Sequence, residues 1–110
     1  MIRERGTCCE LPMKVDPAWA KRRAAVLKAI ADPTRLAMLA ALRAASEPVC
    51  ICDFTAAFDL TQPTISHHMA KLHAARLVDS QKRGLWTYYR LNPELPSLDL
   101  QLLDSALAPA

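Results

Sequence analysis

Apolar residues recur every three or four positions along the first half of the chain, which is the spacing of helices that bury one face. A first helix is predicted from Pro17 to about Ile30, because Asp16 is a favourable N-cap and proline is tolerated at the first helical position. The same signal at Asp32 and Pro33 predicts the start of a second helix. The predicted inward positions of the two helices are Trp19, Val26, Leu27, Ile30, Leu36, Leu39 and Leu42.

Two further helices are predicted in the middle of the chain. A short one runs from Cys50 or Cys52 to Phe58, and a fourth helix follows with Thr61 as its N-cap. At ~100° per residue, three apolar positions of the fourth helix lie within ~60° of one another and are expected to face the core. They are Ile65, Met69 and Leu72.

The pattern changes after residue 76. Residues 77–81 and 85–91 resemble strands, and the Lys82-Arg83-Gly84 sequence between them is typical of a hairpin tip. A last amphipathic helix is predicted from Pro93 to Leu107, with Leu95, Leu98, Leu102 and Leu103 on one side. Helices followed by a hairpin with a basic tip indicate a mainly α winged helix-turn-helix fold with a β-hairpin wing.

In such a fold the fourth helix is the element that enters the major groove of DNA. Its outward and edge positions carry short or hydrogen-bonding side chains, which suit contacts with base edges, although a solvated helix face has a similar composition. The predicted contacts on this helix are Gln62, Thr64, Ser66, His67 and Lys71. Lys82, Arg83 and Arg90 of the hairpin are predicted to contact the flanking phosphates.

Composition narrows the class of protein. A chain of 110 residues with 52% hydrophobic content fits one domain, and its formal charge of +3 permits a nucleic-acid partner. No segment approaches the ~20 apolar residues that cross a bilayer, so we expect a cytoplasmic protein without membrane contact. In that compartment its four cysteines are expected to be thiols or metal ligands rather than disulfides.

The cysteines form two tight pairs, Cys8-Cys9 and Cys50-Ile51-Cys52. Cys50 and Cys52 would lie ~200° apart on a continuous helix, so the pair is predicted to straddle a helix start. Unpaired N–H groups there are expected to lower the thiol pKa. Thiolates select soft ions: trivalent arsenic or antimony, As(III) or Sb(III), with three sulfurs, or Cd(II), Pb(II) or Zn(II) with four.

Four motifs carry a resemblance to a known family. ADPTR, CICD, TQPTISHHM and GLWTYYRL occur in order between residues 29 and 91. This run resembles the winged-helix domain of the ArsR/SmtB family of bacterial metal-responsive repressors. The resemblance implies a homodimer, paired through its first and last helices, that binds operator DNA until a metal or metalloid releases it. One departure is Arg76, where the family usually has glycine.

The resemblance also suggests how the thiols combine. In the arsenic-sensing branch a third cysteine commonly lies three residues after CxC, and here that position is Thr55. In related members the N-terminal arm of one protomer reaches the third helix of its partner. The hypothesis is therefore an intersubunit arsenite site of Cys8 and Cys9 with Cys50 or Cys52. Residues 1–15 are then a mobile arm, and residues 16–110 are the DNA-binding and dimerisation domain.

Two other functions use the same thiols. A redox-sensing repressor of this fold would form disulfides between the arm and the helix, since a bridge between adjacent cysteines is strained. A thiol reductase would be expected to contain Cys-x-x-Cys, whereas this chain has Cys-x-Cys and an adjacent pair. The sequence therefore predicts a regulator and not an enzyme.

Overall fold

The computed structural model describes residues 16–109, which form five helices and three strands. In chain order they are α1 (Pro17–Ile30), α2 (Pro33–Ala44), β1 (Val49–Cys50), α3 (Ile51–Phe58), α4 (Gln62–Ala74), β2 (Val78–Arg83), β3 (Trp86–Leu91) and α5 (Ser97–Leu107). This order confirms the predicted winged helix-turn-helix fold. The predicted arm, with Cys8 and Cys9, lies outside the described residues.

Aspartate side chains cap the first two helices as predicted. Asp16 accepts a hydrogen bond from the backbone N–H of Ala18 at 2.9 Å, and Asp32 accepts one from Arg35 at 2.9 Å. The backbone bond from Arg35, helped by the positive charge of its guanidinium, lowers the pKa of Asp32 despite the opposing effect of burial. The cap of α2 is therefore a carboxylate at neutral pH.

The three strands form an antiparallel sheet in the order β1-β3-β2. β2 and β3 are the predicted hairpin, which we call the wing. β1 was not predicted; it places Val49 opposite Tyr89 and Cys50 opposite Tyr88. A strand of two residues has no periodicity of its own, and its pairing depends on the wing that folds beside it. Cys50 is consequently held against the wing.

The hairpin tip is shorter than predicted. Arg83 pairs with Trp86, which leaves Gly84 and Leu85 as a two-residue turn. Gly84 has a φ of +64°, the left-handed backbone that such a tight hairpin turn requires. Lys82 and Arg83 therefore end β2 instead of forming the turn.

The sequence predicted that the last helix begins at Pro93, but it begins at Ser97. The side-chain oxygen of Asn92 accepts the backbone N–H of Glu94 at 2.9 Å, which makes a local turn where the helix was expected. Pro96, with φ −55° and ψ 147°, is extended and immediately precedes the helix. Leu95 has helical spacing with the later leucines although it precedes the helix, so spacing alone placed the predicted start too early.

The core is built around the apolar stripe of α4. Ile65, Met69 and Leu72 are each 0% exposed, as predicted. Their removal from water contributes at most about 5 to 9 kcal/mol to stability. The other buried apolar residues are Val26, Ala29, Ile30, Met38, Leu39, Leu42, Cys50, Ile51, Phe54, Leu77, Val78 and Leu103. All five helices therefore contribute to a core that contacts the inner side of α4.

Two helices leave large apolar side chains uncovered. Trp19 and Leu27 of α1, predicted to face inward, are 48% and 47% exposed, and Leu98 and Leu100 of α5 are 51% and 43% exposed. α1 and α5 pack against each other, so this apolar surface belongs to neighbouring helices. Within residues 16–109 no helix combines the length and apolar character needed to cross a membrane.

The C-terminus of α4 adopts a left-handed cap on a residue that is not glycine. Arg76 has a φ of 60°. The N–H of Leu77 bonds the carbonyl of Leu72 at 3.0 Å, and the N–H of Arg76 bonds that of His73 at 2.9 Å, which is the Schellman pattern. The side-chain amide of Asn92 donates to the Arg76 carbonyl at 2.9 Å. The cap keeps its usual shape but places a β-carbon in the left-handed region.

Replacing Arg76 with glycine should raise the free energy of unfolding by about 1 kcal/mol, because glycine adopts the left-handed backbone without a steric cost. Denaturant titration followed by circular dichroism measures the change. Ala75→Gly is the matched control: Ala75 has a φ of −82°, so glycine there should destabilise by a few tenths of a kcal/mol to about 1 kcal/mol. A gain for Arg76→Ala equal to that for Arg76→Gly would contradict the backbone explanation.

Candidate functional site

The outer face of α4 has the composition expected of a DNA-reading helix. Gln62, Thr64, His67 and Lys71 are exposed. Ser66 is partly buried and lines a shallow cleft of about 230 Å³ between α4 and the root of the wing. The structure therefore brings all five predicted residues to the outside or the edge of the helix, opposite its buried stripe.

The first turn of α4 differs in detail from the prediction. Thr61 is the N-cap residue, but among the described residues no side chain caps the helix with a hydrogen bond. Its hydroxyl instead lies 3.0 Å from the hydroxyl of Thr64. The backbone N–H groups of this turn are thereby left to other acceptors, and the positive end of a helix dipole favours an anion such as a phosphate.

The wing carries its positive charge in two environments. Lys82 and Arg83 are exposed at the end of β2, and the Arg83 guanidinium lies 5.7 Å from the centre of the Tyr88 ring. Arg90 is placed differently, because its guanidinium lies 3.5 Å from a carboxylate oxygen of Asp79. Both side chains of this pair are about half exposed, so the attraction is weak and the Arg90 charge can exchange Asp79 for a phosphate.

The wing tip also exposes apolar side chains that the sequence patterns did not single out. Leu85 is 97% exposed and Trp86 is 47% exposed. Tyr88, by contrast, is partly buried and packs against the core. Exposure at Leu85 follows from the two-residue turn, whose length becomes evident only from the pairing of Arg83 with Trp86.

Cys50 and Cys52 lie at the junction of β1 and α3, with their sulfur atoms 2.8 Å apart. Cys50 is the N-cap residue of α3, and its sulfur accepts the backbone N–H of Cys52 at 3.4 Å. Cys50 is buried and Cys52 is exposed. The predicted position at a helix start is confirmed, and the extended backbone of Cys50 is what allows the two thiols to meet.

The expected lowering of the thiol pKa is wrong for Cys52. The hydrogen bond to the Cys50 sulfur, followed by burial and by the charges of Cys50 and Asp53, raises the pKa of Cys52 above its ordinary value of 9.0. A backbone hydrogen bond at Asp53 acts in the opposite direction but is smaller. The neighbouring sulfur thus outweighs the favourable effect of the helix start.

Two thiols are an incomplete set of ligands. Within residues 16–109 there is no cluster of three or more His, Cys, Asp or Glu side chains that could hold a metal ion. Thr55 occupies the position of a third cysteine, and its hydroxyl donates to the backbone carbonyl of Cys52 at 2.8 Å. Soft sulfur donors suit a thiophilic ion, but the additional ligand must come from elsewhere. The predicted donors Cys8 and Cys9 lie outside the described residues.

Comparison with known proteins identifies the family. The model of "Bacterial regulatory protein, arsR family" matches residues 32–80. The arsenical resistance operon repressor of Escherichia coli (strain K12) is 38% identical over 81 residues, covering 74% of this chain and 68% of that repressor. The chain belongs to the arsR family of bacterial regulatory proteins.

Another arsR-family relative, the arsenic resistance transcriptional regulator ArsR1 of Pseudomonas putida, is 44% identical over 71 residues. This alignment covers 64% of the chain but 55% of the relative, so the chain spans only about half the length of that regulator. These two relatives are named as an operon repressor and as a transcriptional regulator, and neither name is that of an enzyme.

Solved structures support the same arsR-family fold. NolR from Sinorhizobium fredii superposes with a TM-score of 0.68 at 26% identity, over 89% of this chain and 99% of that one. The AntR antimony-specific transcriptional repressor gives a TM-score of 0.69 at 24% identity, over 92% of each chain. At that identity the second comparison shows the fold alone. Both agree with the winged helix-turn-helix predicted from the sequence.

Removing the Cys50 sulfur should make Cys52 more reactive. In a Cys50→Ala variant the largest cause of the raised pKa disappears, so more Cys52 is thiolate at about pH 8 and alkylation by iodoacetamide should be severalfold faster. Mass spectrometry of the peptide that contains Cys52 measures the rate. Asp53→Asn is the matched control and should accelerate the reaction less. Equal rates for wild type and Cys50→Ala would contradict the assigned cause.

Proposed function

We propose that this arsR-family protein is a homodimeric transcriptional repressor that binds operator DNA and is released by trivalent arsenic bound to cysteine thiolates. The observation that carries the proposal is the pair of Cys50 and Cys52 sulfurs, 2.8 Å apart at the junction of β1 and α3. The names of the Escherichia coli and Pseudomonas putida relatives, both arsenic resistance regulators, support the choice of ion.

The DNA-binding half of the proposal uses two elements. α4 would enter the major groove with its five outward residues, Gln62, Thr64, Ser66, His67 and Lys71. The wing would contact the flanking phosphates through Lys82, Arg83 and Arg90. Complete burial of the opposite side of α4 supports this arrangement, since only the outward residues are available to a partner.

A homodimer is supported by the uncovered apolar surface of α1 and α5. Trp19, Leu27, Leu98 and Leu100 are each between 43% and 51% exposed on two helices that pack together. Apolar surface of this kind is stabilised by a partner chain. Pairing of two copies would also set the spacing of their α4 helices on successive turns of the operator.

The proposed sensor combines Cys8 and Cys9 of one protomer with Cys50 or Cys52 of its partner. Three thiolates would hold arsenite, with antimonite as a second trivalent ion. The alternatives, a four-thiolate site for cadmium, lead or zinc and a thiol-redox switch, use the same cysteines and differ in their response to added ions. A bound arsenic atom would form three bonds to cysteine sulfurs of both protomers and thereby join them.

The sheet offers a route from the thiols to the DNA-binding elements. Cys50 is paired with Tyr88 of β3, and the guanidinium of Arg83 lies over that Tyr88 ring. On the other side, α3 leads into α4 through the left-handed residue Asp59. A change at the thiols therefore reaches both the wing and α4 through direct contacts. For release, the ion must bind the state with low DNA affinity more tightly than the other.

A Cys52→Ser variant should bind the operator as tightly as wild type but should not be released by arsenite, because it lacks a required thiolate. Fluorescence anisotropy of labelled DNA from upstream of the gene, titrated with arsenite, cadmium and zinc, measures both properties. Release of the variant at wild-type arsenite concentrations would remove Cys52 from the site. Release of wild type by cadmium but not arsenite would favour the four-thiolate alternative.

The source of the third sulfur can be tested by rescue. A Cys8→Ser, Cys9→Ser variant should lose its response to arsenite. Adding Thr55→Cys should restore it, because residues three apart on a helix lie on one face and position 55 follows Cys52 by three. The single variant Thr55→Cys is the control for unchanged operator affinity. A full arsenite response in the double serine variant would contradict the intersubunit site.

An Arg83→Gln variant should bind DNA with a weaker salt dependence. Losing one phosphate contact makes the slope of log affinity against log salt concentration less steep by about 0.9 per protomer. Anisotropy titrations at several salt concentrations give the slope. Arg43→Gln is the matched control, because Arg43 on α2 is paired with Asp104 of α5 at 2.6 Å and should not contact DNA. An unchanged slope for Arg83→Gln would exclude a phosphate contact at that residue.

A further inference from the structure

Arg35 links three helices from a nearly buried position, with 9% of its surface exposed. Its Nε donates to the backbone carbonyl of Ala29 at 2.6 Å, and one terminal nitrogen donates to that of Lys28 at 3.2 Å. Its other terminal nitrogen lies 3.3 Å from Nδ1 of His68. One side chain thus joins the end of α1 and the start of α2 to the DNA-reading helix α4.

The direction of the contact between Arg35 and His68 follows from chemistry. A guanidinium has donors and no acceptor, so Nδ1 of His68 must accept the hydrogen bond. This hydrogen bond requires a neutral ring with its proton on Nε2. The nearest carboxylate oxygen, from Asp32, is 3.9 Å from Nδ1, beyond hydrogen-bond distance. Asp32 also accepts the backbone N–H of Arg35 at 2.9 Å, which helps to hold the start of α2 beside this contact.

The contact between Arg35 and His68 depends on direction, unlike the packing of the apolar stripe of α4. Burial of apolar side chains is nearly independent of direction, and so it tolerates a small rotation of the helix about its axis. A hydrogen bond to a guanidinium already bound by two carbonyls depends on angle as well as distance. His68 is adjacent to the exposed His67, so a rotation that broke the bond would also turn the outward face.

We propose that Arg35 and His68 are positioning residues that set the rotation of α4, and hence the preference for operator sequence, without contacting DNA. The inference rests on the proposed DNA-binding function. It concerns discrimination between sequences: contacts of the wing with phosphates hold any DNA, whereas base contacts require α4 at one rotation.

Two substitutions separate the hydrogen bond from the bulk of the side chain. In His68→Asn the amide oxygen takes the place of Nδ1, so the acceptor is kept, whereas His68→Leu fills similar space without an acceptor. We expect His68→Leu to lower the ratio of operator affinity to scrambled-DNA affinity by about tenfold, and His68→Asn to stay close to wild type. His73→Leu, at an exposed position of α4, is the matched control and should leave the ratio unchanged.

Acidification provides a second measurement that does not depend on the folding of His68→Leu. Between about pH 7.5 and about pH 5.5 a histidine gains a proton, which turns Nδ1 into a donor facing the Arg35 guanidinium. The Asp32 carboxylate lies 3.9 Å from Nδ1 of His68, and the ring of His67 lies 6.1 Å from that of His68. Both groups are also present in His68→Asn, so that variant controls for their effects. We therefore expect the affinity ratio of wild type to fall on acidification by severalfold more than that of His68→Asn.

The outcomes distinguish the positioning role from the function on which it rests. Wild type that shows no preference for the operator over scrambled DNA would contradict the proposed function itself. A wild-type preference that His68→Leu retains in full, or pH profiles that coincide for wild type and His68→Asn, would overturn the positioning role alone. Loss of preference in His68→Leu with rescue in His68→Asn supports the hydrogen bond as the cause.

Discussion

Burial of one side of α4 is the constraint on which the rest of the structure depends. Ile65, Met69 and Leu72 are completely enclosed, and every other helix contributes to the core that encloses them. Since positions three and four apart share a face, burying these residues leaves Thr64, His67 and neighbouring positions outside. The same free energy that stabilises the fold thereby selects the surface proposed to contact DNA.

The thiol pair shows how a small sheet can connect the proposed sensor to that surface. Cys50 is both the last residue of β1 and the cap of α3, and this double role brings its sulfur to 2.8 Å from that of Cys52. The helix start by itself favours a thiolate. A second sulfur at this distance reverses the effect at Cys52, since the thiol that donates the hydrogen bond is stabilised in its protonated form.

Positions where local preference is overridden lie beside the elements proposed to bind DNA. Arg76 adopts a left-handed backbone that glycine would adopt more readily, yet the helix-ending hydrogen bonds and the amide of Asn92 hold it there. Arg35 is nearly buried, but each nitrogen of its guanidinium has a hydrogen-bond partner, either a backbone carbonyl or His68. Its charge is therefore not isolated. Tertiary contacts in both cases offset a local cost.

The sequence by itself determined the elements whose signals lie within a few residues. The Asp-Pro caps of α1 and α2, the buried stripe of α4 and the basic hairpin were all predicted because capping and periodicity are local properties. Only the tertiary structure decided the pairing of Cys50 with Tyr88 and the bond between Arg35 and His68. The two pairings join residues more than 30 positions apart, whose contact depends on how the completed helices and wing pack together.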